Sequence, residues 1–221
     1  GIDTDGSALF TSACVYGGPS NTLDDCANLN AGITGGGATI GAAYDFGNGL
    51  TAAFGAQTTE ASVFTEESSD DYAFNVAYTG DNYGVSLTYS DVEASTIRNV
   101  DITDVTSYSL QAYYTPEGNN LPSISAGFES LEGTVTALAA DHDADHWFVG
   151  LTWDEVGPGS AGIAFGTTFP TLDIAGVDES VMMEAYYEYP VNDGMTITPL
   201  IFTQESIVDG TDDTTGVMVK T

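Results

Sequence analysis

Apolar and polar residues alternate with a period of two through almost the whole chain, and this restricts the fold to β-structure. Successive side chains of a strand point to opposite faces, whereas a helix needs a period near 3.6, which no stretch sustains. We therefore predict an all-β chain whose strands end at clusters of Gly, Asn, Asp and Pro. The twelve predicted strands are 7–16, 38–46, 50–57, 71–79, 83–91, 106–115, 121–130, 145–154, 160–168, 181–190, 195–203 and 214–221.

The connections between these strands alternate in length. Short turns such as Gly47-Asn48-Gly49 and Gly80-Asp81-Asn82 alternate with long loops at 17–37, 58–70, 92–105, 131–144, 169–180 and 204–213. This order places the tight turns at one end of the sheet and the long loops at the other, as in outer-membrane barrels. We predict an antiparallel up-and-down transmembrane β-barrel of about twelve strands.

One face of the predicted strands is apolar and carries aromatic residues at a repeated spacing. Six residues of strand span roughly 20 Å, close to the height of the apolar band between the aromatic girdles of a membrane barrel. We interpret the i, i+6 pairs as a girdle, with an aromatic-rich soluble core as the alternative. The pairs are Tyr72 and Tyr78, Tyr83 and Tyr89, Tyr108 and Tyr114, and Trp147 and Trp153.

The opposite face is small and polar, which predicts a water-filled lumen. Carboxylates on this face favour cations, because acidic rings set the selectivity of cation-conducting pores. The predicted pore-lining acids are Glu184, Glu188, Asp45, Glu129 and Asp154. For Asp45, Glu129 and Asp154, solvated side chains at strand ends remain an open alternative.

The charge of the chain excludes one class of partner. It has 33 Asp and Glu residues against two Lys and Arg, a formal net charge of −31, so nucleic acid is not an expected partner. Charged residues are only 16% of the chain and hydrophobic residues 42%, which does not fit a disordered acidic tail. Acids concentrate in the long loops, where they can bind Ca²⁺ or another divalent cation loosely. No other cofactor is expected.

The densest cluster of potential metal ligands is Asp141, His142, Asp143, Asp145 and His146. Imidazole and carboxylate together can hold a divalent transition metal, although a solvated acidic surface is the commoner explanation. Phosphate-binding, nucleophile-elbow and Cys/His framework motifs do not occur, so we predict no catalytic residues and no enzyme. Acid pairs such as Glu184 and Glu188 could serve as the two carboxylates of a glycosidase. Acids are so abundant in this chain, however, that such a pair is expected by chance.

Cys14 and Cys26 flank a stretch rich in Pro, Asn and Asp. This spacing predicts a disulfide-closed loop formed in an oxidising compartment, with two unpaired thiols as the alternative. The chain has no run of about 18 apolar residues, which excludes a transmembrane helix.

Five segments of residues 145–221 resemble a known family. They are His146–Asp154 (HWFVGLTWD), Gly162–Phe169 (GIAFGTTF), Met183–Tyr189 (MEAYYEY), Asp193–Phe202 (DGMTITPLIF) and Gly216–Thr221 (GVMVKT). In order and spacing they resemble the barrel of cyanobacterial outer-membrane porins, the carbohydrate-selective or iron-uptake porins with a surface-layer-homology domain. The resemblance implies a trimeric pore for small solutes or ions, in contact with outer-membrane lipid. Residues 1–221 then form a single barrel domain or the C-terminal part of a larger barrel.

Two functional hypotheses follow. The first is an outer-membrane porin that conducts small hydrophilic solutes or ions passively and prefers cations. The second is a surface-exposed or secreted all-β structural protein that self-assembles. A porin needs detergent because its apolar face points outward, whereas a soluble β protein buries that face. A carbohydrate-active enzyme is a third, weaker hypothesis.

Overall fold

A computed structural model describes residues 9–33, 38–58, 70–97, 100–118, 121–174, 177–208 and 210–221. These residues form one antiparallel sheet of twelve strands. The strands are β1 (Ala38–Asp45), β2 (Leu50–Thr58), β3 (Asp70–Thr79), β4 (Tyr83–Ile97), β5 (Val100–Tyr114), β6 (Ser123–Val135), β7 (Ala140–Val156), β8 (Gly159–Thr167), β9 (Thr171–Leu172), β10 (Val181–Asn192), β11 (Met195–Gln204) and β12 (Thr214–Lys220). The predicted all-β, antiparallel fold is confirmed.

Strands pair in the order of the chain from β1 to β12, with one exception: β9 pairs with the start of β7, so β8 pairs with β10. Among the described residues, β1 and β12 each pair along one edge only, and the sheet is not closed. The tight turns all lie at one end. At the first of them, Gly49 has a φ of +85°, and a Cβ there would overlap the carbonyl oxygen of Thr79.

Several strands are longer than the alternation predicts. Strands β4 and β5 stay paired from Tyr83↔Tyr114 to Ile97↔Val100, so most of the predicted loop 92–105 is strand. The polarity of the faces inverts there: the inner positions become apolar, and the outer positions carry acids such as Asp101 and Asp143. The inner positions form a buried cluster of Val92, Ile102, Val105, Leu131, Val135, Ala144 and Leu172. The sequence pattern assigned these strand extensions to loops because acids occupy their outer face.

The predicted strand 7–16 is wrong over its described part, residues 9–16, which belong to no strand; residues 7 and 8 lie outside the described ranges. Residues 9–33, called the inner segment below, lie instead on the polar face of the sheet, called the inner face. The backbone N–H groups of Ala13 and Val15 donate to the hydroxyls of Ser86 (3.1 Å) and Ser125 (3.0 Å). Gln111 donates in turn to the carbonyl oxygen of Asp25 at 2.9 Å.

The small residues of the inner face make room for this segment. A Cβ at Gly127 would overlap the carbonyl group of Cys26, and one at Gly150 would approach the ring of Tyr16 to 2.7 Å. Over this part of the sheet, small residues are therefore contact points for backbone and rings and do not line open water.

The main apolar core lies between the inner segment and the sheet. Leu23 and Cys26 of the segment have no exposed surface and pack against Phe148, Met182 and Leu200 of the sheet. Hydrophobic burial thus holds the segment in place together with the hydrogen bonds.

The opposite, outer face exposes large apolar side chains. Leu87 is 51% exposed, Ile40 65% and Val217 76%. A continuous apolar surface of this kind is typical of a face that contacts lipid or a partner.

In the described part of the chain, no helix has the length and apolar character needed to cross a membrane.

Candidate functional site

The predicted girdle residues lie on the outer face. Tyr72, Tyr78, Tyr83, Tyr108 and Tyr114 are exposed there, while Tyr89, Trp147 and Trp153 are half-buried. Rings of neighbouring strands meet at two levels: Tyr78 and Tyr83 lie 5.5 Å apart near the tight turns, and Tyr89 and Tyr108 lie 5.6 Å apart farther along. The Trp147 indole donates to the Glu179 carboxylate at 2.8 Å. An apolar ring with a polar contact at its edge suits a membrane interface.

Glu129 of β6 is fully buried beneath the inner segment. Its Oε1 accepts hydrogen bonds from the backbone N–H groups of Asn30 (2.7 Å) and Ala31 (2.6 Å). Its Oε2 accepts from the backbone N–H of Leu29 (3.2 Å) and the Asn30 amide (3.3 Å). The inner segment thus surrounds this carboxylate with donors, which offsets the cost of burying a charge.

Glu184 of β10 is the second fully buried carboxylate. Its Oε1 accepts a 2.6 Å hydrogen bond from the Tyr16 hydroxyl, and its Oε2 accepts one from the Ser20 hydroxyl. Burial and the nearby Glu184 raise the pKa of Tyr16 well above its usual value, so Tyr16 remains a hydrogen-bond donor at neutral pH. Both contacts come from the inner segment.

His146 is fully buried between two carboxylates. Its Nδ1 lies 3.8 Å from Glu129 Oε2, and its Nε2 lies 4.0 Å from Asp25 Oδ1 of the inner segment. Both distances exceed hydrogen-bond length, and neither ring nitrogen has a hydrogen-bond partner among the described residues. Burial raises the pKa of Asp25, and the nearby His146 and the Ala27 N–H partly counteract that effect.

The other three predicted pore-lining acids are exposed and lie near the tight turns. Asp154 and Glu188 line one cavity of about 280 Å³. Glu188 also lines a second cavity of about 480 Å³, together with Asp24 of the inner segment and Lys220 of β12. Asp45 accepts the backbone N–H of Gly47 at 2.7 Å. The five acids therefore divide into two buried and three exposed residues.

The predicted metal ligands do not converge. They lie at the start of β7, where alternation puts the two imidazoles on the inner face and Asp141, Asp143 and Asp145 on the other. His142 Nδ1 lies 2.9 Å from the Asp173 carbonyl oxygen, whereas His146 is buried with Glu129. Within the described ranges, no group of three or more His, Cys, Asp or Glu residues is arranged to hold a metal ion.

Cys14 and Cys26 form the predicted disulfide, which closes a loop within the inner segment. The residues that sequence reasoning missed lie in and beside this loop: Tyr16, Ser20 and Asp25. The sequence feature that could have indicated them is the run of small residues on the inner face, because these residues leave room for a segment that covers the face.

No protein-family model and no curated protein sequence matches the chain. The structure is similar to the anion-selective porin from Comamonas acidovorans, with a TM-score of 0.59 and 12% identity over 82% of this chain and 55% of that one. It is also similar to a Rhodobacter porin, with a TM-score of 0.60 and 22% identity over 99% of this chain and 75% of that one. The chain thus spans little more than half of the first porin. These likenesses define a porin-like fold.

Proposed function

We propose that the protein is an outer-membrane porin, a passive diffusion channel for small hydrophilic solutes or ions. The observation that carries this proposal is that the sheet has the reverse polarity of a soluble protein. Large apolar side chains such as Leu87 are exposed, while Ser and Gln side chains such as Gln111 are buried. A face of this kind is costly in water and stable against lipid. Bilayer lipid is then the partner and the outer membrane the location.

We also propose that this channel prefers cations. Asp24, Asp154 and Glu188 border the two cavities by the tight turns. Lys220 is the only Lys or Arg that the structure describes. Exposed carboxylates along an aqueous path attract cations. The Comamonas porin is described as anion-selective, so a cation preference here is a property of this chain's own residues.

Single-channel recording in a planar lipid bilayer under a KCl gradient tests both proposals. We expect discrete conductance steps and a reversal potential of the sign that cation flow produces. Glu188→Gln should shift the reversal potential towards zero, because it removes an exposed carboxylate from the cavity wall. A protein that is monodisperse without detergent and gives no steps contradicts the channel.

Among the described residues, β1 and β12 each pair with only one other strand, and this favours the second function, a self-assembling surface-exposed or secreted structural protein, because the free edge of a sheet can pair with another chain. Light scattering in buffer without detergent discriminates the two. Growth into large, ordered assemblies supports the structural protein, and irregular aggregation that detergent reverses supports the porin.

The finer features belong to the same proposal. These are a relation to the cyanobacterial porins, a trimeric state, a single-domain or larger barrel, and loosely bound divalent cations at the acidic loops. Mass measurement by light scattering in detergent tests the trimer, and calcium titration of the detergent-solubilised protein tests the cations.

A further inference from the structure

We propose that the inner segment carries a binding site for small organic amines, that is, for molecules that join a protonated amino group to an apolar body. The site is a cavity of about 310 Å³ whose described walls come from residues 10–12, 24–25 and 28–33, all of the inner segment. A cavity of this volume lies at the lower end of the range of small-molecule pockets, about 300–1,000 Å³. The proposal goes beyond the channel function and does not depend on it.

The first argument is the charge of the cavity wall. Asp24 and Asp25 both line the cavity, and none of the described lining residues is a Lys, Arg or His. Asp24 is exposed and Asp25 is partly buried. A positively charged ligand therefore complements the wall, whereas the wall repels a carboxylate or a phosphate.

The second argument is that the charge of Asp25 lacks a close positive partner. Behind Asp25 lies the fully buried His146, whose Nε2 is 4.0 Å from Asp25 Oδ1. This distance exceeds hydrogen-bond length, and neither ring nitrogen of His146 has a hydrogen-bond partner in the described part of the chain. Burial accordingly raises the pKa of Asp25. An ammonium group in the cavity would compensate the charge of this carboxylate.

The third argument concerns the remaining polar groups of the wall. The Ser12 hydroxyl donates to Gln111 Oε1 at 2.9 Å, and the Asn30 amide donates to Glu129 Oε2 at 3.3 Å, so both of these donors are used by the sheet. Asn28 Oδ1, by contrast, is buried and has no hydrogen-bond partner within the described ranges. The wall thus offers acceptors, and the three N–H donors of an ammonium group match them.

The fourth argument is the apolar part of the lining. Phe10, Leu29 and Ile33 line the same cavity as the two carboxylates, and Leu29 is 46% exposed. An alkyl or aryl body that covers these side chains is stabilised by burial of apolar surface. The face of the Phe10 ring can also attract the ammonium group. The lining therefore favours an amine with an apolar body over an inorganic cation, which makes no use of the apolar wall.

Calorimetric titration of the detergent-solubilised protein with 2-phenylethylamine at pH 7 tests the site. This primary amine is protonated at pH 7. Two comparison ligands separate its parts: 2-phenylethanol keeps the ring and lacks the charge, and ethylamine keeps the charge and lacks the ring. We expect each of them to bind about tenfold more weakly or less than 2-phenylethylamine, a difference of about 1.4 kcal/mol. Titration of micelles without protein corrects for partition of the ligands into detergent.

Variants of the two wall types locate the site. Asp25→Asn and Leu29→Ala should each weaken 2-phenylethylamine binding by about fivefold or more. Asp24→Asn provides a second charge variant at an exposed position, where a loss of binding does not follow from a loss of folding. The matched controls are Glu117→Gln and Leu121→Ala, which remove an exposed carboxylate and an exposed apolar side chain from the tight turn between β5 and β6. Both controls should bind like the unmodified protein.

Thermal unfolding gives a second readout. A ligand that binds only the folded protein raises its melting temperature. We therefore expect 2-phenylethylamine to raise the melting temperature of the unmodified protein and of Glu117→Gln more than that of Asp25→Asn.

Three results overturn the proposed site. Equal affinity for 2-phenylethanol would mean an apolar pocket without charge recognition, and equal affinity for ethylamine would mean an acidic surface alone. Unchanged affinity in both Asp24→Asn and Asp25→Asn would place the bound amine elsewhere. The bilayer recording is independent of these results. A protein that conducts but does not bind the amine keeps the channel and loses this site, and one that binds without conducting keeps the site and loses the channel.

Discussion

The hydroxyl of Tyr16 donates a 2.6 Å hydrogen bond to the carboxylate of Glu184, which lies 168 residues farther along the chain. Tyr16 belongs to the inner segment and Glu184 to the tenth strand, so the bond joins the two layers of the structure. Both side chains are buried, and the ring of Tyr16 also packs 5.3 Å from that of Phe148. The segment is therefore held by a charge-assisted bond within an apolar core.

Tyr16→Phe tests the energetic weight of this bond. It removes one hydroxyl, leaves Glu184 with Ser20 as its remaining donor, and should lower the free energy of unfolding by about 1–3 kcal/mol. Tyr187→Phe is a matched control, because its hydroxyl donates to the Val156 carbonyl oxygen at an exposed site. Denaturant unfolding in detergent should show a clearly smaller loss for the control. Equal losses would contradict the role given to Tyr16.

The alternation made the sheet and its two faces predictable. Tyr83 and Tyr114 lie directly opposite each other, and so do Tyr89 and Tyr108, because β4 and β5 keep both their register and their period of two between these two pairs. The strand extensions were missed because polarity inverts where Ile102 and Val105 turn inward and Asp101 outward. The alternation of apolar and polar residues identifies a strand only as long as the same face of that strand stays apolar.

The inner segment was not predictable from local pattern. Its stretch 9–16 reads as a strand, and its partners Ser86 and Ser125 lie 73 and 110 residues away from Ala13 and Val15. The acids Glu129 and Glu184 were assigned to the correct face, but phase alone does not tell an exposed carboxylate from a covered one. The small residues of that face predicted a water-filled lumen, whereas two of them, Gly127 and Gly150, lie against the inner segment.

Gly127→Ala tests this interpretation of the small residues. The added methyl group would overlap the Cys26 carbonyl group, so the segment or the strand must shift. Overpacking of this kind should cost about 1–3 kcal/mol of unfolding free energy. Gly17 also lies in the inner segment, and a methyl group added there has no atom within 4 Å. Gly17→Ala should therefore leave the free energy of unfolding nearly unchanged. Thermal unfolding of both variants in detergent provides the comparison.

The disulfide should stabilise the inner segment by restricting the unfolded chain. Cys14 and Cys26 are separated by 12 residues, and closure of a loop of this size contributes about 3 kcal/mol. Reduction of the unmodified protein should therefore lower its melting temperature. The variant with both cysteines replaced by serine should melt at the reduced value and should not respond to the reductant. No change on reduction would show that the hydrogen bonds and core hold the segment alone.

Asp25 should destabilise the protein at neutral pH. Burial raises its pKa in the folded state, so the folded protein binds the proton more tightly than the unfolded chain does. The stabilisation that comes from tighter proton binding by Asp25 is fully present below the unfolded pKa of about 3.9. It is lost as the pH rises through the folded-state pKa. Asp25→Asn, which keeps an oxygen for the Ala27 N–H, should therefore be more stable than the unmodified protein at pH 7, with a smaller difference near pH 3.

Unfolding curves across this pH range check the sign of the Asp25 effect. Asp24→Asn is the control, because Asp24 is its exposed neighbour. A loss of stability in Asp25→Asn at pH 7 would mean that attraction between His146 and the charged carboxylate outweighs the cost of burial.

Two exposed apolar residues distinguish a lipid-facing surface from a water-facing one. Leu87 lies in the middle of the outer face of β4 and is 51% exposed, and Val208 lies in the connection between β11 and β12 and is 55% exposed. In water, arginine at either position is tolerated to a similar degree. In a bilayer, an arginine near the midplane costs about 2–4 kcal/mol, and one outside the apolar band costs about 0–1 kcal/mol. Leu87→Arg should therefore reduce folding into lipid vesicles strongly, while Val208→Arg should not. Equal folding of the two variants would place both residues in water and would favour the structural protein over the porin.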